Sequence, residues 1–569
     1  MRDMQVVVVP EADGAGRVRV LPDGAHSRGP ASAAPAAAEK VPDLAAWMAG
    51  IEAVHAPRWV LPSADTLYPD LLATGLRLSR CHDLFHTEGI LLGFAGLPGR
   101  PRNLAAAWAR MHELPEPQDP PPVSRTEQPA LFEADREPLP AGADPLDAAV
   151  AVHADQQRRI AAVPQPDRLR LLVAAESAGA LAAAEMRHHG LPWRTDVHLA
   201  LLTEMLGPRP SAGARPTVLA ALAEDITAAF GLSGAPEARQ VNPDNPASVV
   251  RAFARAGIDV PSSRAHVLRE VDHPAVEPLL RYKELARLWV ANGWSWLDSW
   301  VHGGRFRPEY VVGGVVSGRW ATRGGAGLQL PRVLRTAVRA DPGWKLVVAD
   351  ASQLEPRVLG ALSGDRRFAE VSAATDLYTT IATDTFDGNR DHAKRAMLSA
   401  MYGGTAGGAG PLLAQLRQRF PQAVDYVEQA ARAGEEGKIV RSRLGRTSPP
   451  PSESWRALMG SADPGTENRS REAARNWGRF TRNFVVQASA ADWALTVLAT
   501  LRRRIAGTDA QLVFFQHDEV LVHCPAGIAD TVAAEVTASA EEASGLVFGD
   551  TPVRFPLQAA VVDCYADAK

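Results

Sequence analysis

Strand-like runs stand at both ends of this chain, and a long helical tract separates them. "MQVVVV", "RVRVL" and "RWVLP" lie near the start, while "KLVVAD", "LVFFQHDEVLVHCP" and "VRFPLQAAVVDC" lie in the last part. From about 145 to 300, segments such as "RLRLLVAAESAGALAAAEMRHHG" carry apolar residues at helical spacing, and helices return at about 376–430 and 467–505. Strands so far apart predict an α+β fold whose sheet is completed by distant segments. "YVVGGVVSGRW" also reads as strand. At 569 residues the chain exceeds one ordinary core, so two to four domains are expected. The proline- and acid-rich "ELPEPQDPPPVSRTEQPALFEADREPLPAGADP" reads as a linker or long loop.

Composition narrows the class. The N-terminus has only a four-valine apolar core and no window appears long enough for a bilayer, so a cytoplasmic protein without a membrane partner is expected. Cys81, Cys524 and Cys564 have no metal-binding spacing, and reduced thiols are the expectation. A net charge of −4 excludes a generally basic protein but not a local basic stripe. One such stripe comprises Arg305, Arg307, Arg319, Arg323, Arg332, Arg335 and Arg339, with Glu309 as its only acid. The run Arg502-Arg503-Arg504 reads as a solvated helix end. His82 and His86 in "HDLFH" lack a third ligand and do not read as a zinc site.

Two acids stand at strand ends. "WKLVVAD" ends at Asp350, and "FFQHDEVLVH" places Asp518 at a hairpin tip. Taken singly, Asp350 or Ser352 caps a helix and Asp518 makes a turn. Side by side, the two carboxylates repel unless a cation lies between them, and oxygen-ligated Mg²⁺ is the usual answer. "NRDHAKRAMLSAMYGG" sets Arg390, Lys394, Leu398 and Tyr402 on one helix face, and "GRFTRNFVVQASAADW" does the same for Arg479, Asn483 and Gln487. Either face could contact phosphates and bases or simply be hydrated.

Strand-D-x-S-Q-x-E, then R-x3-K-x7-YG, then HDE, in this order, resembles the polymerase region of family A DNA polymerases. "SGRWATRGGAGLQLP" and "RNFVVQASAAD" resemble two further segments of that family, and "AAEMRHHGLPWRTDVHL" the segment leading towards its thumb. The resemblance implies a right-hand fold of palm, fingers and thumb behind a ribonuclease H-like, exonuclease-type α/β domain. The boundaries it implies are a degenerate exonuclease-like domain at 1–165 and connecting helices with thumb at 166–310. Palm would take 311–375 and 467–569, and fingers 376–466.

The roles also follow from the resemblance. Asp350 and Asp518, with the carbonyl of Ala351, would bind two Mg²⁺ ions, for which Mn²⁺ can substitute. Arg390 and Lys394 would hold a deoxynucleoside triphosphate, with Lys394 as proton donor to pyrophosphate. Glu355 would exclude a ribose 2′-OH, and Gln353, Leu398, Tyr402 and Tyr378 would complete the nucleotide site. Arg319, Arg479, Asn483, Gln487, His517 and Glu519 would contact primer–template DNA. The implied activity is template-directed DNA synthesis in replication or repair by a monomer, cytoplasmic and acting at the nucleoid. Alternatives are an idle DNA-binding scaffold and a single-subunit RNA polymerase, against which Glu355 argues. Leu398, Ser399, Ala351, Pro356 and Tyr378 depart from the family pattern. The first strand lacks the acids of a proofreading site, and "PSADTLYPDLL" and Asp155 only approximate the later ones. No proofreading and no preceding 5′-nuclease domain are therefore expected.

Overall fold

The computed structural model describes residues 4–21, 37–121, 139–140, 142–232, 240–325, 327–404, 408–461 and 464–568. Most of the proline-rich linker (122–138) lies outside the described residues. The chain forms two compact units. Unit 1 takes Met1–His189, Tyr310–Ala321 and Val347–Val561, and unit 2 takes Gly190–Glu309, Thr322–Leu346 and Val562–Lys569.

Unit 1 begins with a five-stranded sheet of β1 (Gln5–Pro10), β2 (Gly16–Leu21), β3 (Glu39–Val41), β4 (Arg58–Leu61) and β5 (Arg80–Asp83), in the order β3-β2-β1-β4-β5. β1 to β3 pair antiparallel, and β1, β4 and β5 run parallel. The valine run of β1 is explained by burial on both faces. Val6 and Val8 meet Trp59, Met48 and Tyr68, while Val7 and Val9 meet Val60, Leu84 and Val152.

Its second sheet is assembled from segments far apart in sequence, as the strand pattern predicts. It holds β6 (Trp344–Ala351), β7 (Gln511–Gln516), β8 (Glu519–Pro525) and β9 (Leu557–Val562), in the order β7-β8-β6-β9. Around it pack α1 (Pro166–His189), α2 (Leu354–Ser363), α3 (Leu377–Thr385), α4 (Arg390–Tyr402) and the 38-residue α5 (Glu467–Arg504). Gly434 of helix Pro421–Glu435 and Gly478 of α5 allow these helices to close up. A Cβ at the first would collide with Thr481 and at the second with the Ala431 carbonyl.

Two buried ion networks fasten α1. Arg502, on α5, donates from Nε and Nη2 to Glu185 at 3.0 and 2.6 Å, and the Tyr68 hydroxyl donates to the same carboxylate at 2.6 Å. Burial opposes ionisation of Glu185, but Arg502 and Arg77 outweigh it and hold the pKa down at about 2. Arg446 bridges Glu176 at 2.8 Å and Asp492 at 2.9 Å. Removing one partner of such a pair costs about 3–5 kcal/mol, because the other charge is left buried. The N-terminal sheet is thereby tied to the helix that leads towards β7.

Several sequence expectations are corrected. Arg502 is not solvated; only Arg503 and Arg504 lie on the outer side, paired with Glu542 and Glu535. "YVVGGVVSGRW" is strand only at its start, in Glu309–Val311, after which Gly313 and Gly318 turn the chain. Among the described residues one helix, α5, is long and apolar enough to cross a membrane, contrary to expectation; 89 % of its apolar window is buried, as in a core helix. The arginine stripe is divided between the two units. Arg319 belongs to unit 1 and the others to unit 2, where Arg305 pairs with Asp341 and Arg335 stacks on Tyr565.

Unit 2 is mainly helical, with Thr195–Leu206, Thr217–Ala229, Pro246–Arg255 and Val276–Asn292 as its longer helices. Trp193, Trp296 and Phe306 form an aromatic core beside a three-stranded sheet of Leu191–Pro192, Arg305–Phe306 and Val301–His302.

On the helix Leu84–Phe94, which follows β5, His86 is buried against Asp65 (Nε2 to Oδ2, 3.1 Å) and near Asp83. Burial alone would lower its pKa, but the two acids outweigh it and raise the value from 6.5 to about 9. A raised folded-state pKa means the stabilisation is complete below pH 6.5 and lost as pH rises through about 9. Thermal melts from pH 6 to 10 should show wild type losing stability across that window, and His86→Gln, already less stable, losing less. Parallel curves would contradict this.

Candidate active site

The two acids of the sequence analysis meet. β8 lies beside β6 in the sheet, and the Ala351 N–H donates to the Asp518 carbonyl at 3.1 Å, so Asp350 is one residue from a bond to the other acid's backbone. Neither caps a helix by its side chain. Gln353 holds the N-terminal position of α2, in a left-handed conformation with φ of 57°. The turn between β7 and β8 is His517-Asp518, and His517 also has positive φ (59°). Such angles are costly for non-glycine residues and mark a turn whose geometry is held by its surroundings.

Neighbouring groups fix this turn. The Tyr310 hydroxyl donates to the Phe515 carbonyl at 3.0 Å and accepts from the Phe515 N–H at 2.9 Å, beside the irregularity where β7 shifts register. After β6, the buried Arg357 guanidinium donates to five carbonyls: Ser352, Ser372, Arg554, Ala374 and Thr375, at 2.6–3.0 Å. Every donor of this arginine is spent on backbone, so it is a structural clamp on the chain leaving Asp350.

The electrostatics follow. Burial first, and the Asp350 carboxylate second, raise the Asp518 pKa from 3.8 to about 7, and Arg319 only partly offsets them. Among the described residues no three or more His, Cys, Asp or Glu side chains gather in metal-holding geometry, so the centre rests on two carboxylates. Their hard oxygens and only partly offset repulsion suit a divalent cation.

Of the other residues singled out in the sequence, Arg319 and Glu355 lie close enough to Asp518 to act on its charge. Glu355, on α2, is held from two sides. Arg319 pairs with Oε1, and the Tyr402 hydroxyl donates to Oε2 at 2.7 Å. Arg390, Lys394, Leu398 and Tyr402 all lie on the exposed face of α4, Leu398 being 37 % and Tyr402 42 % exposed. Arg479 is exposed on α5, with Asn483 and Gln487 half-buried in the same row. Asn483 lies beside the Tyr402 hydroxyl. Tyr378 is buried, with the Arg390 guanidinium 5.5 Å from its ring. Glu519 is buried at the start of β8 and His517 is exposed. Gln353 turns its amide to Asp376 (2.8 Å) and the Leu377 N–H (2.8 Å), so it braces α3.

Asp376, Arg357 and Tyr310 carry much of this geometry and were not singled out from sequence. An aspartate before a helical run reads as an N-cap, and an arginine within apolar "LEPRVLGAL" was the available sign of a buried partner set.

In the N-terminal sheet, β1 carries no acid, Asp65 is bonded to His86, and Asp155 pairs with Arg158 and Arg159. His82 bonds Gln156 at 2.9 Å, apart from the His86–Asp65 pair.

Comparison with known proteins agrees in region. The sequence profile of DNA polymerase family A matches residues 253–561. DNA polymerase I, thermostable, of Thermus thermophilus is 28 % identical over 305 residues, covering 48 % of this chain and 35 % of that protein. DNA polymerase I of Chloroflexus aurantiacus is 28 % identical over 296 residues (46 % and 30 %), and the DNA polymerase of Mycobacterium phage L5 is 28 % identical over 232 (38 % and 34 %). The match thus spans about a third of each relative's length. The structure of the POL domain of Pol1 from M. smegmatis, in complex with DNA primer-template and dNTP, superposes with a TM-score of 0.71 at 19 % identity. It covers 100 % of this chain and 96 % of that one, which establishes a common fold.

A carboxyl whose pKa is raised by burial and a like charge opposes folding once it ionises. Removing that charge should therefore help. In chelator at pH 8, Asp518→Asn should melt several degrees above wild type, and the gap should close towards pH 5, where Asp518 is already protonated. An unchanged or lower melting temperature at pH 8 would count against the paired-acid geometry.

Proposed function

The chain belongs to DNA polymerase family A, and from that premise we propose that it is a template-directed DNA polymerase adding deoxynucleotides to a primer 3′-OH. The observation that carries this reading is the approach of Asp350, near the end of β6, to Asp518, in the turn that opens β8, with the Glu355–Arg319–Tyr402 cluster close by.

Asp350 and Asp518, with the Ala351 carbonyl, are the residues that would hold two Mg²⁺ ions, or Mn²⁺ in their place. Bound there, the ions supply charge neutralisation at a transferring phosphoryl group. The chain's own residues do the rest. Arg390 and Lys394, one turn apart on the exposed face of α4, grip the triphosphate, and Lys394 gives a proton to the departing pyrophosphate oxygen. Glu355 cannot swing aside, because Arg319 and Tyr402 hold both its oxygens, so it fills the space a ribose 2′-OH would need. Leu398 offers the sugar an aliphatic surface without a ring. Arg479, Asn483 and Gln487 line one side of α5 with donors suited to minor-groove acceptors, and Arg319 adds another. His517 and Glu519, flanking Asp518, position the primer terminus. Positioning and fixed charge then supply most of the rate.

In this reading, residues 311–375 and 467–569 are palm, 376–466 fingers, and the helices of unit 2 include the thumb. The N-terminal sheet is a ribonuclease H-like domain retained as a scaffold. With no acid in β1, and Asp65 and Asp155 committed to His86 and arginines, it does not proofread.

Primer extension by the purified chain with Mg²⁺ tests the proposal. Wild type should extend a primer with deoxynucleotides, and Asp350→Asn should lose at least roughly a thousandfold in rate while keeping DNA affinity, as losing a main charge-stabilising group does. Glu355→Ala should raise ribonucleotide incorporation. Wild type that binds DNA without extending it would leave the scaffold reading, and ribonucleotides preferred by wild type would leave the RNA polymerase.

A further inference from the structure

We propose that Asp376 is a positioning residue that pre-orients Arg390 for the triphosphate and couples the nucleotide-binding face of α4 to the end of β6. The inference rests on the polymerase reading. Asp376 stands at the N-terminus of α3 and uses both carboxylate oxygens. Oδ1 accepts from the Tyr378 and Thr379 N–H groups at 3.1 and 3.2 Å and from Gln353 Nε2 at 2.8 Å. Oδ2 accepts from the Thr379 hydroxyl at 2.9 Å and from Arg390 Nε at 3.0 Å.

The division of labour on Arg390 is the telling part. Only Nε is engaged; the two terminal nitrogens make no hydrogen bond among the described residues. An arginine held by Nε keeps its outer edge for a bidentate grip on phosphate. The Tyr378 ring, 5.5 Å from the guanidinium carbon, limits its swing on one side. A long side chain fixed beforehand does not lose its rotamer freedom when the ligand arrives.

On its other oxygen, Asp376 holds Gln353, three residues beyond Asp350 and in a left-handed conformation. Gln353 returns a bond from the Leu377 N–H to its own Oε1 at 2.8 Å. One carboxylate thus joins the chain that leaves the paired acids to the arginine at the start of α4. Burial favours the neutral acid, but the bonds from Arg390, Gln353 and Thr379 outweigh it and keep Asp376 far below the usual carboxylate range. The group is ionised at any working pH.

Positioning and plain charge make opposite predictions. By Coulomb's law alone, removing an anion near the triphosphate would tighten nucleotide binding. If Asp376 positions Arg390, removal weakens it. Asp376→Asn separates the two cleanly: the amide oxygen keeps the cap and the Gln353 bond, while the NH₂ that replaces Oδ2 cannot accept from Arg390. Asparagine caps helices as well as aspartate.

Single-nucleotide extension on a primer–template should show KM for the deoxynucleotide raised roughly tenfold in Asp376→Asn, about 1.4 kcal/mol, with kcat changed less than about twofold. In an Arg390→Ala background the substitution should add nothing. Arg390→Lys, which leaves Asp376 untouched but cannot hold carboxylate and phosphate with separate edges, should reproduce the rise in KM and covers the case of a poorly folded Asp376→Asn. An unchanged or lowered KM in the variants, or an equal effect without Arg390, overturns the proposal while wild-type extension leaves the polymerase reading intact. No extension by wild type sinks that reading and this inference with it.

Discussion

The structure is organised around an electrostatic conflict. Two carboxylates that would separate in water are held together, one near the end of β6 and one in the turn that opens β8, with the Ala351 N–H bonded to the Asp518 carbonyl. Asp518 answers by holding its proton up to about pH 7. A fold keeps such an arrangement only when rigid surroundings impose it, or when a counter-charge relieves it. Much of unit 1 can be understood as that rigid surround.

Three devices provide the rigidity, each from a different level of the chain. Arg357 spends all its donors on backbone carbonyls around the exit of β6, and Tyr310 bonds the N–H and carbonyl of Phe515 on edge strand β7, next to its register shift between Leu512 and Phe514. Farther out, the Arg446 and Arg502 networks fasten α1 to α5, whose C-terminal end precedes β7. The N-terminal sheet enters this scheme through Tyr68 and the Ser79 carbonyl, both bonded within the Arg502 cluster. A sheet far from the paired acids in sequence thus takes part in the bracing of α1 and α5.

Much of this was legible in sequence because it is local or periodic. The four-residue spacing of Arg390, Lys394, Leu398 and Tyr402 needs only a helix to become one face, and the two apolar runs around His517 and Asp518 need only a hairpin. The pairing of β6 with β8 followed from strand-like pattern plus motif order. What sequence did not carry were long-range choices of partner. Arg502 and Arg503 look alike in an "RRR" run, yet one is buried on Glu185, distant in sequence, and the other faces Glu542. Asp376 caps a helix, a role its place before a helical run allows, and nothing local announces that its second oxygen reaches Arg390. "VVGGVV" had strand composition, but Gly313 within it takes a left-handed conformation that turns the chain. The apolar length of α5 was not recognised in the sequence, and in the structure that stretch is buried as a core helix.

The central claim is that Asp350 and Asp518 jointly hold divalent cation. Anomalous scattering from crystals of the protein with primer–template DNA, a non-hydrolysable deoxynucleotide analogue and Mn²⁺ tests it most directly. The account predicts manganese peaks within coordination distance of both carboxylates, absent from Asp518→Asn crystals grown alike. Manganese bound elsewhere, or carboxylates turned away from each other with no metal between them, would contradict it.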